Sequence, residues 1–261
     1  MNIGIPSSII SRFSTTSDSI RHQSDARHAG INTIKMNLIY FTKGVVILRI
    51  DIGCGSNKEK GYLGIDLVEG PGVDIVCDIN QGIPLPDNSV EFVMATRVLP
   101  YVSDLFAVMS EIQRICVHKA VVCILAPYTH SFYHMSNPSF KQKFDEYTPR
   151  YFTNKFFQPT QGPISPEIPD YPAPVPPFDY RLLRMELFYQ IPFQQSLYEI
   201  EELEMLKTLQ ANVVHEIMYH FTVSKKGITI QELEFMSRMR YPEPRAVLER
   251  RLKSPNQQDF F

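Results

Sequence analysis

Short apolar runs alternate with polar or amphipathic connectors between residues 45 and 126. Five of them are VVILRIDIG (45–53), GYLGIDL (61–67), VDIVCDI (73–79), VEFVMAT (90–96) and AVVCILAP (120–127). They have strand length and are rich in β-branched residues. Their near-continuous apolarity predicts parallel strands covered on both faces. In SDLFAVMSEIQRIC, the residues Leu105, Val108, Met109, Ile112, Ile115 and Cys116 recur at helical spacing, with Ser103 as the expected N-cap. Strands alternating with a helix predict a doubly wound α/β fold. One connection is short for that fold. Only residues 56–60 separate the first strand's glycines from Gly61, whereas a parallel crossover usually takes a dozen or more. The expectation there is a helix of about one turn.

Beyond residue 127 the pattern changes. TPRYFTNKFF (148–157) predicts a helix with Thr148 as N-cap and Pro149 as its first residue. Residues 158–178 then hold eight of the 20 prolines, too dense for a helix or a central strand. An extended, stiff surface loop joining two core elements is expected; the sharper alternative is a ligand for an SH3- or WW-like protein partner. DYRLLRMELFYQI (179–191) and VVHEIMYHFTVSK (213–225) read as strands, and LYEIEELEMLKTLQ (197–210) as an acidic amphipathic helix. They fit the far edge of the same sheet. The organisation expected is a disordered tail over 1–34, a domain over 36–226 with the proline-rich loop 158–178 inserted, and a mildly basic, solvated helical tail over 227–261. Arginines and hydroxyls in the first segment suggest a transit peptide, but Asp18 and Asp25 count against one.

Composition narrows the function. Hydrophobic residues are 44% and charged residues 21%, enough for a real core. The net charge of −2 offers no basic field for nucleic acid or an anionic membrane, and no apolar run approaches the roughly 18 residues of a spanning helix. A cytoplasmic location is expected. The four cysteines sit in apolar contexts without a CxxC pair, which favours buried reduced thiols over disulfides or a metal site.

The chemistry concentrates in IDIGCGSNKEKGYLGIDL. Gly53 and Gly55 stand where a strand ends and the backbone can approach a ligand closely. Asp66 ends the second strand, where a carboxylate can accept two hydrogen bonds from a ribose diol. Asp78 ends the third and could meet an adenine amino group. A dinucleotide site wants a third glycine, which is absent, so a nicotinamide-dependent oxidoreductase is disfavoured. Asp51 would repel a pyrophosphate but suits an ammonium. Adenosine carrying a cationic amino-acid tail describes S-adenosylmethionine.

These stretches, with VDIVCDINQGIPLPDNSVEFVMATRVLPYV, EIQRIC and KQKFDEYTPRYFT, make residues 48–156 resemble the class I S-adenosylmethionine-dependent methyltransferases of the type 11 kind. The resemblance implies a Rossmann-like, mostly parallel seven-stranded sheet with helices on both faces and an antiparallel last strand, 179–191 and 213–225 being its final pair. It implies that Asp51, Gly53 and Gly55 bind the methionine end and Asp66 the ribose. Leu67 would lie beside the adenine, Asp78 and Ile79 would form its pocket, and Ala95 and Thr96 would line the sulfonium region, followed by Arg97. Two departures stand at the mouth of the site. Relatives often read HVLEH where this chain has RVLPY (97–101), and DPxH where it has Asn137, Pro138, Ser139 and Phe140. Each removes imidazole or carboxylate. The weak candidates for a catalytic base are His130, His134, Asp145 and Glu146; loop residues, helix capping or pairing with Arg150 are their competing readings. Tyr128, Phe132, Tyr133, Phe140 and Phe144 could wall an acceptor pocket or form core. The function expected is methyl transfer to a small-molecule acceptor. The alternative is a methyltransferase-like binding protein that has lost turnover.

Overall fold

Eight strands form one sheet in the computed structural model: β1 (Tyr40–Thr42), β2 (Val45–Ile52), β3 (Leu63–Asp66), β4 (Ile75–Val76), β5 (Val90–Thr96), β6 (Cys116–Pro127), β7 (Tyr180–Tyr189) and β8 (Val214–Val223). The described residues are 40–42, 45–168, 175–193 and 197–253, within the unit Lys35–Phe261. The expected N-terminal tail, residues 169–174 of the proline-rich loop and residues 254–261 lie outside them.

Seven strands run in the order β4-β3-β2-β5-β6-β8-β7, and β1 pairs antiparallel with the start of β2. The first five of the seven are parallel, and β8 is antiparallel to both its neighbours. This is the mostly parallel sheet the sequence predicts. The chain leaves β2 toward β3 on one side and returns to β5 on the other. The crevice beyond the ends of β2 and β5 is therefore a topological switch point, where open α/β sheets bind ligands.

The strands alternate their side chains between two cores. Ile50, Ile52, Val93, Ala95, Val122 and Ile124 pack under helix α1 (Leu105–Ile115). Phe92, Met94, Val121, Cys123 and Leu125 face the other way, toward Leu233 and Val247. Both faces being covered explains the near-continuous apolarity. Leu233 and Val247 belong to α5 (Ile230–Ser237) and α6 (Arg245–Lys253). The region read as a solvated tail thus packs on the second face of the sheet. Two of its basic residues are committed as well. Arg251 donates to Glu186 at 2.7 Å and to Glu243 at 2.9 Å, and Arg250 to Glu216 at 2.5 Å. Their acidic partners Glu186 and Glu216 lie on β7 and β8, out of reach of local periodicity.

Other local expectations need correction. Asp104, not Ser103, caps α1, accepting from the Ala107 N–H at 3.0 Å. The helix between β2 and β3 is absent; residues 53–62 make turns. They are held against the next loop instead. Lys58 Nζ lies 2.5 Å from Asp74 Oδ2, and a Cβ on Gly72 would stand 2.8 Å from the Gly55 carbonyl oxygen. β4 is only two residues long, and Asp78 lies beyond it as the cap of a 3₁₀ turn, Ile79–Gln81. Between α2 (Phe132–Met135) and β7, the helix expected over 148–157 is a single turn, α3 (Thr148–Tyr151), with Tyr147 in the cap position. The chain turns there because Phe152 is drawn into an aromatic cluster with Phe106, Phe178, Tyr180 and Phe221. The acidic helix is present as α4 (Ile200–Leu209), closed by a Glu199–Glu202 capping box. The described parts of the proline-rich loop contain no helix or strand. No helix among the described residues is long and apolar enough to cross a membrane.

Candidate functional site

Two cavities open at the switch point. The first, of about 370 Å³, lies beyond the ends of β2, β3 and β5. Asp66, Leu67, Asp78, Ile79 and Thr96 line it, with Tyr101 and Val102 on the far side. The second, of about 340 Å³, is reached past Gly53. Asp51, Asn57 and Glu59 form one wall and Pro244, Arg245, Ala246 and Glu249 the other. Gly53, Thr96 and Arg97 border both cavities and mark where they meet.

Gly53 holds this junction open. Its φ is +69°, a conformation that side chains disfavour. A Cβ there would also stand 2.4 Å from Cβ of Val98. Gly55 likewise has positive φ, and its N–H donates to Asp66 Oδ2 at 2.9 Å. The Val68 N–H donates to Asp66 Oδ1 at 3.1 Å. Asp66 is thereby fixed at the rim of the first cavity. Asp78 accepts from the Asn80 N–H at 2.9 Å and from the Asn80 side chain at 2.7 Å; these bonds hold its carboxyl below the usual range.

Asp51 is only 4% exposed. Burial raises its carboxyl from 3.8 to about 6, against the Glu59 N–H that donates to Oδ2 at 2.9 Å. It points from β2 toward the α5–α6 face, because it alternates with Ile50 and Ile52 on the other. Burial also pushes the neighbouring Cys54 thiol up to about 12, and all four cysteines are free. Among the described residues no cluster of His, Cys, Asp and Glu could hold a metal ion.

Arg97 stands at the junction with φ +58°. Its Nε and Nη2 both donate to Glu216, the latter at 3.0 Å. Glu216 is fully buried and also receives Arg250 of α6, at 2.5 Å. Burial pushes the Glu216 carboxyl up, but the two guanidiniums outweigh it and hold it below the usual range. Burial lowers the adjacent His215, keeping its imidazole neutral at pH 7. Two guanidiniums thus share one carboxylate, leaving one positive charge in excess.

Of the residues named from sequence, Gly53, Asp66, Leu67, Asp78, Ile79 and Thr96 come together around the first cavity, and Asp51 joins Gly53 and Thr96 at the second. Gly55 and Ala95 line neither; Gly55 buttresses Asp66 and Ala95 is in the core. The four candidate bases line neither cavity. His130 is exposed. His134 is buried and tilted over Phe140. Asp145 accepts from the Tyr147 N–H at 3.0 Å and the Thr148 N–H at 3.2 Å, a local capping role. Glu146 is buried between the Tyr128 hydroxyl at 2.8 Å and Lys207 Nζ at 2.5 Å. Arg150 pairs with neither acid; it donates to the Ser165 carbonyl at 2.8 Å and lies over the Phe156 ring. Sequence reasoning missed Glu59, Glu216, Arg245 and Glu249. Only Glu216 carried a signal, as the lone carboxylate of a mostly apolar strand.

Residues 50–124 match the methyltransferase domain family. No curated protein sequence matches the chain significantly. Among solved structures, a SAM-dependent methyltransferase from Archaeoglobus fulgidus is 16% identical, with a TM-score of 0.44 over 67% of this chain and 86% of its own. Phosphoethanolamine N-methyltransferase 2 of Haemonchus contortus, in complex with S-adenosyl-L-methionine, is 15% identical, with a TM-score of 0.41 over 69% of this chain and 50% of its own. At such scores these likenesses carry no argument of their own. The family match does, since it runs from the end of β2 through most of β6 and includes every residue of the first cavity. Over residues 50–124 this chain is thus similar to the methyltransferase domain family.

Proposed function

We propose that the protein binds S-adenosylmethionine across the two cavities and transfers its methyl group to a small-molecule acceptor. The observation that carries this is the pairing of Asp66 and Asp78 on one cavity at the switch point, with Asp51 on the next. In this reading Asp66 accepts from the ribose hydroxyls. Asp78 and Ile79 flank the adenine, with Leu67 over it. Gly53 lets the chain of the cofactor pass, and Asp51 faces the ammonium. Thr96 and Arg97 then border the sulfonium. The cofactor supplies both the methyl group and its leaving group, so the protein's work is to position the acceptor and exclude water. An amine acceptor needs only to arrive neutral, whereas a hydroxyl benefits from a base. We place the protein in the cytoplasm, with residues 35–253 acting as one domain.

That none of the four candidate bases lines either cavity favours a second reading, a cofactor-binding protein without turnover. Calorimetric titration with S-adenosylhomocysteine tests the first step. Binding that is lost in Asp66→Ala, with no binding of NAD, supports the cofactor site; equal binding by the variant defeats it. Release of S-adenosylhomocysteine from S-adenosylmethionine with a panel of small amines and phenols then separates transfer from binding alone.

A further inference from the structure

We propose that helix α6, outside the stretch that matches the methyltransferase family, clamps the amino-acid end of the cofactor, with Arg245 and Arg97 receiving its carboxylate and Asp51 its ammonium. This rests on the cofactor reading above and adds a binding role for a segment that sequence reasoning left as a tail.

The lining of the second cavity carries the inference. Two guanidiniums, Arg97 and Arg245, face three carboxylates, Asp51, Glu59 and Glu249. A cavity of one sign would suit a simple ion; this one suits a zwitterion, the chemistry of a free α-amino acid end. Two atoms are left over for it. Asp51 Oδ2 is taken by the Glu59 N–H, while Oδ1 has no hydrogen bond among the described residues. Arg97 gives Nε and Nη2 to Glu216, and its Nη1 has no partner among them. The Arg245 side chain is 71% exposed and, among the described residues, pairs only with Glu249 on its own helix, at 2.7 Å.

The helix is also tied to the cofactor loop. Glu59 links the two walls, because its Oε1 accepts the Arg245 N–H at 2.8 Å and its own N–H is the one held by Asp51. At the other end of α6, Arg250 meets Glu216, the carboxylate that orients Arg97. The helix therefore acts directly through Arg245 and indirectly through Arg250. Seating the amino-acid end should hold α6 in place, and a docked α6 should hold the amino-acid end, since such coupling is reciprocal.

The test compares two ligands on the full chain by calorimetry. S-adenosylhomocysteine carries the amino-acid end, and 5′-methylthioadenosine lacks it. The wild type is expected to bind the first at least about tenfold more tightly than the second, a difference near 1.4 kcal/mol. Arg245→Gln should erase most of that ratio while leaving the affinity for methylthioadenosine within about twofold, and Arg245→Lys should recover part of it. Retained methylthioadenosine binding also shows that each variant is folded. Amide exchange across residues 245–253 should slow with S-adenosylhomocysteine and not with methylthioadenosine. Equal affinity of the wild type for both ligands, or unchanged S-adenosylhomocysteine binding in Arg245→Gln, overturns the clamp and leaves the cofactor reading standing. Failure of the wild type to bind either ligand overturns both.

Discussion

The two cavities share three residues and are otherwise built on different principles. The one at Asp66 and Asp78 draws all its lining from residues 52–102, within one stretch of strands and short loops. The one at Asp51 is finished by α6, whose Arg245 is 186 positions from the Glu59 it meets. The first is mainly apolar, with Leu67, Ile79 and Val102 beside its acids; the second is more polar and carries charges of both signs. The first rests on backbone turns that fix isolated carboxylates. The second rests on a buried charge network, whose parts hold only together. A site made within a local stretch tolerates loss of one polar group, whereas one held by a buried network does not.

The largest effect should come from Glu216. Replacing it with alanine leaves two guanidiniums facing each other at a fully buried position, and breaking such a network costs about 3–5 kcal/mol. For a chain of this size that is a fall in Tm on the order of 10 °C. Asp66→Ala removes two exposed hydrogen bonds to backbone and should barely shift the Tm of the unliganded protein. Thermal melts of both variants without ligand check this. Equal falls would erase the distinction between the two regions.

The same distinction governs what could be read from the sequence. The strands β2, β3, β5, β7 and β8 were legible because each is a bounded apolar run, and the first cavity's residues because the spacing of DIGCG, IDL and CDI puts them at successive strand ends. Asp78 was found although β4 stops short of it, since the position along the sheet survives the change from strand to turn. The missing helix after Gly55 was partly visible as a connection too short for a normal crossover. What replaces it, the packing of 53–60 on 70–74, depends on glycine contacts that carry no periodic signal. The one-turn α3 failed because Phe152 belongs to a core assembled from α1, β7, β8 and the end of the proline-rich loop. The role of α5 and α6 failed most completely. Leu233 and Val247 are buried beside exposed apolar neighbours, Ile230 and Phe235 on α5 and Leu248 and Leu252 on α6, so no apolar stripe marks the covered face, and basic residues look solvated until their partners on β7 and β8 are known.

Next in size is Asp51, which sets stability against binding. Its carboxyl titrates near 6 in the fold, above the usual 3.8, so between those values the folded protein holds a proton that the unfolded chain has released. Stability therefore falls as pH rises from about 4 to about 6 and stays lowered above that. At 1.36 kcal/mol per pH unit the cost is on the order of 3 kcal/mol. Asp51→Asn keeps an acceptor for the Glu59 N–H and sheds the buried charge. The variant should melt higher than wild type at pH 7, lose the pH slope between 4 and 6, and bind S-adenosylhomocysteine at least about tenfold more weakly. Wild-type affinity should itself tighten as pH rises through about 6, as the carboxylate forms opposite the ligand's ammonium. A variant that melts lower, with the same pH slope, would mean that Asp51 is a structural acid and that the second cavity has no special claim on it.

The smallest effect separates binding from folding within the first cavity alone. Leu67 is 65% exposed, although it lines that cavity, so truncating it to alanine should change the stability of the unliganded protein by less than about 0.5 kcal/mol. Ile79 lines the same cavity at 8% exposure and packs in the core, so its truncation should cost about 2–5 kcal/mol. Once an adenine covers Leu67, part of its apolar surface leaves water, and the alanine variant should weaken S-adenosylhomocysteine and methylthioadenosine alike, by roughly three- to tenfold. Equal loss for both ligands assigns Leu67 to the adenosine end, in contrast to Arg245, whose loss should fall on the amino-acid-bearing ligand alone. If Leu67→Ala instead weakens only S-adenosylhomocysteine, the assignment of ligand ends to the two cavities is reversed.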